Sequence, residues 1–193
     1  MRKLITAALA ALALTGAQSA QAASFDLNLN DYSLQAKLAG PVSSGAHGDS
    51  LMHLRFLYNE KKSLTMTSAD LEFQAMIENV PGFGLGLGVG VVGGRKKSSR
   101  ANQDIFGVPV GLRLYFQPAG AENLEFQGKV FYTPKLLSFA DLDRMLERRV
   151  RAGYAISPAV QIYIEYQHIR ANFDDLNSRT IDDNVRVGFK ARF

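Results

Sequence analysis

Hydrophobic and polar residues alternate along most of this chain with a period of two. Phe83, Leu85, Leu87, Val89 and Val91 alternate with Gly82, Gly84, Gly86, Gly88 and Gly90, a spacing that puts every apolar side chain on one face of a strand. The same alternation runs through Phe106 to Phe116, Leu124 to Thr133, Arg149 to Ile156, Val160 to Gln167 and Val185 to Phe193. Upstream, Met52, Leu54, Phe56 and Tyr58 oppose His53 and Arg55, while Leu71, Phe73, Ala75 and Ile77 oppose Asp70, Glu72, Gln74 and Glu78. Strands are therefore predicted to start near Leu51, Leu64, Gly82, Ile105, Leu124, Leu146, Ala159 and Asp183. The phase changes at Asn30-Asp31, between Phe25, Leu27 and Leu29 on one side and Tyr32, Leu34, Ala36 and Leu38 on the other, which reads as a turn or a bulge. Taken as a hairpin, this stretch raises the count from eight strands to ten, the preferred number. Gly40 to Ser50 then becomes a long connection, and eight strands with the N-terminal stretch folded differently stays open.

Segments of this length suit tilted strands that cross a bilayer, for which about 9–11 residues are needed. Their connections alternate in length. Asn79 to Pro81, Gln117 to Asn123 and Ser157-Pro158 are short, whereas Gly93 to Asp104, Pro134 to Arg144 and Ala171 to Asp182 are longer and polar. Aromatic residues sit near the strand ends on the apolar face, at Phe83, Phe106, Phe116, Phe126, Tyr132, Tyr154, Tyr166 and Phe193, as in the interfacial girdles of membrane barrels. The fold class expected is all-β: a closed antiparallel transmembrane β-barrel of eight to ten strands. A soluble sandwich or lipocalin-like barrel is the competing reading, and charged residues at the centres of consecutive strands count against it.

The first residues read as a targeting segment. Met1-Arg2-Lys3 is basic, Leu4 to Leu14 is apolar, and Ala20-Gln21-Ala22 fits a signal-peptidase site. The expected division is a signal peptide over 1–22 and a barrel domain over 23–193, with the apolar run too short for a retained anchor. The formal net charge of +4 includes Arg2 and Lys3, so the mature chain is close to neutral and gives no sign of nucleic-acid binding. The absence of cysteine rules out disulfides, thiolate metal sites and a cysteine nucleophile.

One constellation dominates the polar face: Arg55, Glu72, Arg113, Glu125, Lys129, Glu147, Arg149, Arg151, Glu165, Arg186, Lys190 and Arg192. Inside a narrow barrel such charges must be paired or hydrated. They form either a network that fills the lumen, which is preferred, or the lining of an aqueous path. Because signs alternate between neighbouring strands, pairing is expected between neighbours. Arg95, Lys96, Lys97 and Arg100 fall in a loop placed outside the cell, where lipopolysaccharide phosphates are candidate partners. Other motifs carry less. Gly88, Gly90 and Gly93 match G-x-G-x-x-G, but a strand and not a helix follows, so no nucleotide site and no cofactor is expected; inward glycines more plausibly make room for neighbours such as Arg113 and Tyr115. His168 has Asn172, Asp174 and Ser178 nearby, without a serine two positions along its own face, while His47 and His53 have less company still. Asp174, Asp175, Asn177, Asp182 and Asp183 match no calcium loop, and no metal is expected.

The last strand, with Val185, Val187, Phe189, Ala191 and a terminal Phe193, resembles the C-terminal signal by which the barrel-assembly machinery recognises bacterial outer-membrane proteins. More of the chain resembles the YfaZ family of outer-membrane proteins. The carrying stretches are Asp26 to Asp31, Tyr132-Thr133-Pro134-Lys135-Leu136-Leu137-Ser138-Phe139, Glu165-Tyr166-Gln167-His168-Ile169-Arg170 and Asp182-Asp183. This resemblance implies a small barrel in the outer membrane of a Gram-negative cell and supplies no catalytic residue. The function expected is that of a non-enzymatic structural or surface-interaction barrel with a plugged lumen. A narrow porin-like channel is the alternative, and a lipid-modifying enzyme a distant one. Expected partners are outer-membrane lipids, lipopolysaccharide and the assembly machinery, with the protein itself a monomer.

Overall fold

The computed structural model describes residues 23–45, 48–78, 80–97, 102–173 and 176–193. Twelve strand segments follow in chain order: β1 (Ser24–Asn30), β2 (Ser33–Gly45), β3 (Gly48–Asn59), β4 (Leu64–Met76), β5 (Phe83–Lys96), β6 (Gln103–Gly107), β7 (Val110–Phe116), β8 (Leu124–Thr133), β9 (Ser138–Ala140), β10 (Leu142–Ser157), β11 (Val160–Phe173) and β12 (Leu176–Arg192). Each pairs antiparallel with its neighbours, β4 with β5 included, and β1 closes the circle on β12 with Ser24 opposite Arg192. β6 and β7 both lie along β5 and form one broken wall strand. β8 and β9 form another, against β7 and β6 respectively. The result is a closed antiparallel barrel of ten wall strands, and both termini emerge at the same end.

Both interruptions have local causes. Pro109 has no N–H to give to the ladder, so pairing with β5 stops there, although its carbonyl still accepts from the Gly90 N–H at 2.9 Å. Opposite this break the chain inserts the single 3₁₀ turn Lys135–Leu137, and the Leu137 carbonyl takes the Val108 N–H at 2.8 Å. The N-terminal phase change is a hairpin. The Asn30 side-chain oxygen accepts from the backbone N–H groups of Tyr32 and Ser33 at 3.2 and 2.9 Å, an Asx turn that suits a tight reversal.

Two of the expected connections are instead mostly strand, and a third is partly so. β2 runs to Gly45 and β3 begins at Gly48, which absorbs most of Gly40 to Ser50. β5 continues to Lys96, and β11 and β12 extend to Phe173 and from Leu176. At the end reached by the β5, β11 and β12 extensions, away from the termini, the inward face turns apolar. Leu57, Leu64, Met66, Val92, Ile105, Leu142, Met145, Ile169, Ala171, Phe173 and Ile181 form a buried cluster inside the barrel. The polar-inside rule used to find strands fails where the inside is a small hydrophobic core. That core should be tightly packed: Ile169→Val, which removes one methylene from a fully buried site, is expected to cost about 0.5–1.5 kcal/mol in urea unfolding of the refolded barrel.

Outward side chains are apolar in a continuous band around the wall, with Val150 and Val187 about three-fifths exposed. Aromatic rings gather towards the strand ends, including the stack of Phe116 on Phe126 at 6.3 Å and its neighbour Phe83 at 6.4 Å from Phe116. An apolar belt of this kind on a closed barrel faces lipid hydrocarbon, and the girdle faces the headgroups. The fold is a transmembrane β-barrel. Val185, Val187, Phe189 and Phe193 of the terminal strand are all exposed on the outside of the wall.

Candidate functional site

All twelve residues of the inward constellation are on the lumen face of their strands, as the alternation dictates. At one level of the wall, however, like faces like. Arg113 is opposite Lys129, and Lys129 is opposite Arg149, a row of three cations on β7, β8 and β10. Arg151 does meet Glu165 on the adjacent strand, and Lys129 lies near Glu147 on the next, as expected, but most of these charges find counterions on strands that are not neighbours. The reason is curvature: in a barrel this narrow, inward side chains converge on the axis, so a long side chain reaches the far wall as easily as the next strand.

Arg55 on β3 grips Glu147 on β10 with two hydrogen bonds, one from Nη1 to Oε1 and one from Nη2 to Oε2 at 2.9 Å. Four wall strands lie between β3 and β10 in either direction, so this pair spans the full diameter. Lys129 lies 3.6 Å from Glu147 and 3.8 Å from Asp70. Arg113 pairs with Glu72 at 2.7 Å and Asp70 at 3.3 Å, and the Tyr115 hydroxyl donates to Glu72 at 2.5 Å. A second hub is Glu165, fully buried, which accepts from Lys37 at 2.8 Å and from Arg151 at 2.6 and 2.9 Å, with Arg149 at 3.9 Å. Arg151 also donates to Asp26 at 2.6 Å, and the Tyr163 hydroxyl donates to the other Asp26 oxygen. Towards the apolar end, Arg186 donates to Asp182 at 2.8 Å and to Ser33 at 2.7 Å, while Asn59 donates to Asp182 at 2.7 Å. Gln35 reaches Gln167 across the lumen at 2.8 Å. Asp26, Lys37, Asp70 and Asp182 were absent from the expected constellation. Their phase on β1, β2, β4 and β12 was the available signal, hidden because the first two strands are short in polar contrast and Asp182 was assigned to a loop.

His53 is a further correction. Instead of standing alone, it lies 3.2 Å from Glu72 and 2.9 Å from Arg113. His53, Asp70 and Glu72 bring three ligand-type atoms within 4.8 Å of one another, but the Arg113 guanidinium sits among them and supplies the positive charge a cation would bring. Of the neighbours expected beside the inward glycines of β5, Tyr115 is met by Gly84, whose added Cβ would lie 3.6 Å from it, while the tighter contacts are with other residues. A Cβ on Gly86 would lie 2.2 Å from a Glu72 oxygen, and one on Gly88 would lie 2.6 Å from the Phe131 ring. Gly88, Gly90 and Gly93 are mid-strand with no helix after them, so they form no phosphate cradle.

The basic segment at the end of β5 is split. Arg95 is exposed and paired with Asp104 at 2.6 Å, and Lys97 is exposed. Lys96 turns into the barrel and is only 8% exposed, because the strand alternation carries on through it. Arg100 lies outside the described residues, as do His47, Asp174 and Asp175. His168 faces outward near the rim, 3.6 Å from Asp183, and among the described residues no hydroxyl bonds to it. Asp182 points inward and Asp183 outward, which breaks up the acidic cluster read from the sequence.

A family model described as YfaZ precursor matches residues 58–193. The chain belongs to the YfaZ family. No curated protein matches it. Among solved structures, this YfaZ-family chain is similar to the NanC porin, at 8% identity and a TM-score of 0.52, over 89% of this chain and 99% of that one. It is also similar to the KdgM porin, at 8% identity and a TM-score of 0.43, over 90% and 99% of the two chains. A third likeness is the outer membrane protease OmpT from Escherichia coli, at 13% identity and a TM-score of 0.45, over 89% and 93%. At these identities the likeness concerns the fold alone, that of outer-membrane β-barrels.

Proposed function

We propose that this YfaZ-family protein is exported by a signal peptide cleaved after Ala22 and stands in the outer membrane as a lumen-closed, non-enzymatic barrel with a structural or surface-interaction role. The observation that carries this reading is the Arg55–Glu147 bridge across the full diameter, backed by the apolar cluster that fills the lumen beyond it. Two obstructions of different chemistry in series leave no continuous water path. A charged band alone could hydrate and conduct, but the apolar plug disfavours water and ions above it. On the surface, Arg95 and Lys97 are the exposed cations of the β5 extension available to lipopolysaccharide phosphates. The barrel works as a monomer, with lipids around its apolar belt and Phe193 presented to the assembly machinery.

Planar-bilayer recording of the refolded protein tests the closed lumen. The expected trace is flat, and steady nanosiemens-scale steps would overturn the reading in favour of a narrow porin-like channel.

A further inference from the structure

The end of the barrel that carries the termini is not filled as the rest is. A cavity of about 280 Å³ occupies it, reaching from Ser24 and Arg192 at the rim to His53, Arg113 and Arg149 at its floor. Six lysine and arginine side chains line it against two carboxylates, Asp26 and Glu125. Those two are already engaged, Asp26 by Arg151 at 2.6 Å and Glu125 by Arg192 at 3.2 Å. Glu165 just beyond is taken by Lys37 and Arg151. What is left over is cationic. Arg149 is 8% exposed, lines the cavity, and has no hydrogen bond among the described residues; its nearest carboxylate oxygen is at 3.9 Å. Lys190 lines the same cavity with no ion pair among the described residues. A buried guanidinium without an acceptor is costly, and an unmatched second cation in the same cavity adds to that cost. An anion with two negative charges would relieve both.

We infer that this cavity is a binding site for a small dianion, such as a phosphate or a short dicarboxylate, entering from the side of the membrane on which the termini lie. The shared chemistry is a pair of anionic oxygen groups that accept from Arg149 and Lys190. Arginine offers such a group a two-pronged donor and lysine a point charge. The volume sits at the lower edge of the usual range for small-molecule sites, roughly 300–1,000 Å³, so an extended oligomer does not fit whole. The inference does not depend on the lumen being closed further in.

Isothermal titration calorimetry on the refolded full barrel in detergent, at matched ionic strength, tests it with inorganic phosphate, succinate and chloride. Saturable one-to-one binding of phosphate, of succinate or of both is expected, and chloride should give none; which of the two dianions binds tells the phosphate class from the dicarboxylate class. Arg149→Gln and Lys190→Gln should each weaken binding about tenfold or more, while Lys61→Gln in the exposed β3–β4 turn on the opposite rim should leave it unchanged. Because Arg149 is an excess charge, Arg149→Gln should unfold in urea no earlier than the parent when no anion is present, and anion should protect the parent but not the variant. Heat for neither dianion, or equal binding by both cavity variants and the parent, would overturn the inference.

Discussion

Replacing Glu165 by Gln should destabilise the barrel by about 3–5 kcal/mol, the range for removing one partner of a buried ion pair. Glu165 is fully buried and is the acceptor for Lys37 and Arg151, with Arg149 within 4 Å. A neutral amide keeps the volume and loses the charge, which leaves several cations facing one another in a dry lumen. Glu125→Gln provides the contrast. Its carboxylate is at the rim, 21% exposed, and its ion pair is with Arg192, itself 37% exposed, beside a hydrogen bond from Gln127. A half-solvated pair of this kind contributes about 1 kcal/mol or less. Urea unfolding of the two variants in the same micelles would therefore separate them by at least about 2 kcal/mol. Similar small losses for both would mean that water fills the lumen and screens its charges.

The diameter bridge gives the second large effect. Glu147→Leu alone removes the carboxylate that holds Arg55 and neighbours Lys129, and about 3–5 kcal/mol should be lost. Adding Arg55→Met removes the orphaned guanidinium as well. The double variant should regain at least half of the loss, because an apolar pair of similar volume needs no counterion and Lys129 keeps Asp70 at 3.8 Å. A complete double-mutant cycle measures this directly. If the two single losses simply add, Arg55 and Glu147 are not coupled across the lumen and the bridge does not close it. Conductance of the double variant adds a second reading. It should stay near zero, since Leu57, Ile169, Phe173 and their neighbours still fill the far end.

How far the sequence went depended on which physical rule each residue obeyed. Period two needs no tertiary information, since successive side chains leave a strand on opposite faces whatever the strand pairs with. The wall strands, their lipid and lumen faces, the aromatic ends and the N-terminal hairpin at Asn30-Asp31 were therefore legible, and so was the inward phase of all twelve charges. What the sequence could not say is who meets whom across a closed cylinder. Local register puts Arg113, Lys129 and Arg149 side by side, and only closure brings Glu147 to Arg55 or Glu165 to Lys37 from strands far apart in the order. Closure also decided the apolar plug. Ile169, Ala171 and Phe173 break the polar-inside pattern, and as a bare sequence Ala171 and Phe173 read as a loop; in the barrel all three fill the lumen's far end and extend the strands around it. Lys96 and Asp182 turn inward for the same reason, as members of strands longer than the alternation of charge had suggested. Arg149, left without a hydrogen bond among the described residues and 3.9 Å from its nearest carboxylate, is the clearest case, because an excess charge is a property of a filled volume and cannot be counted along a chain.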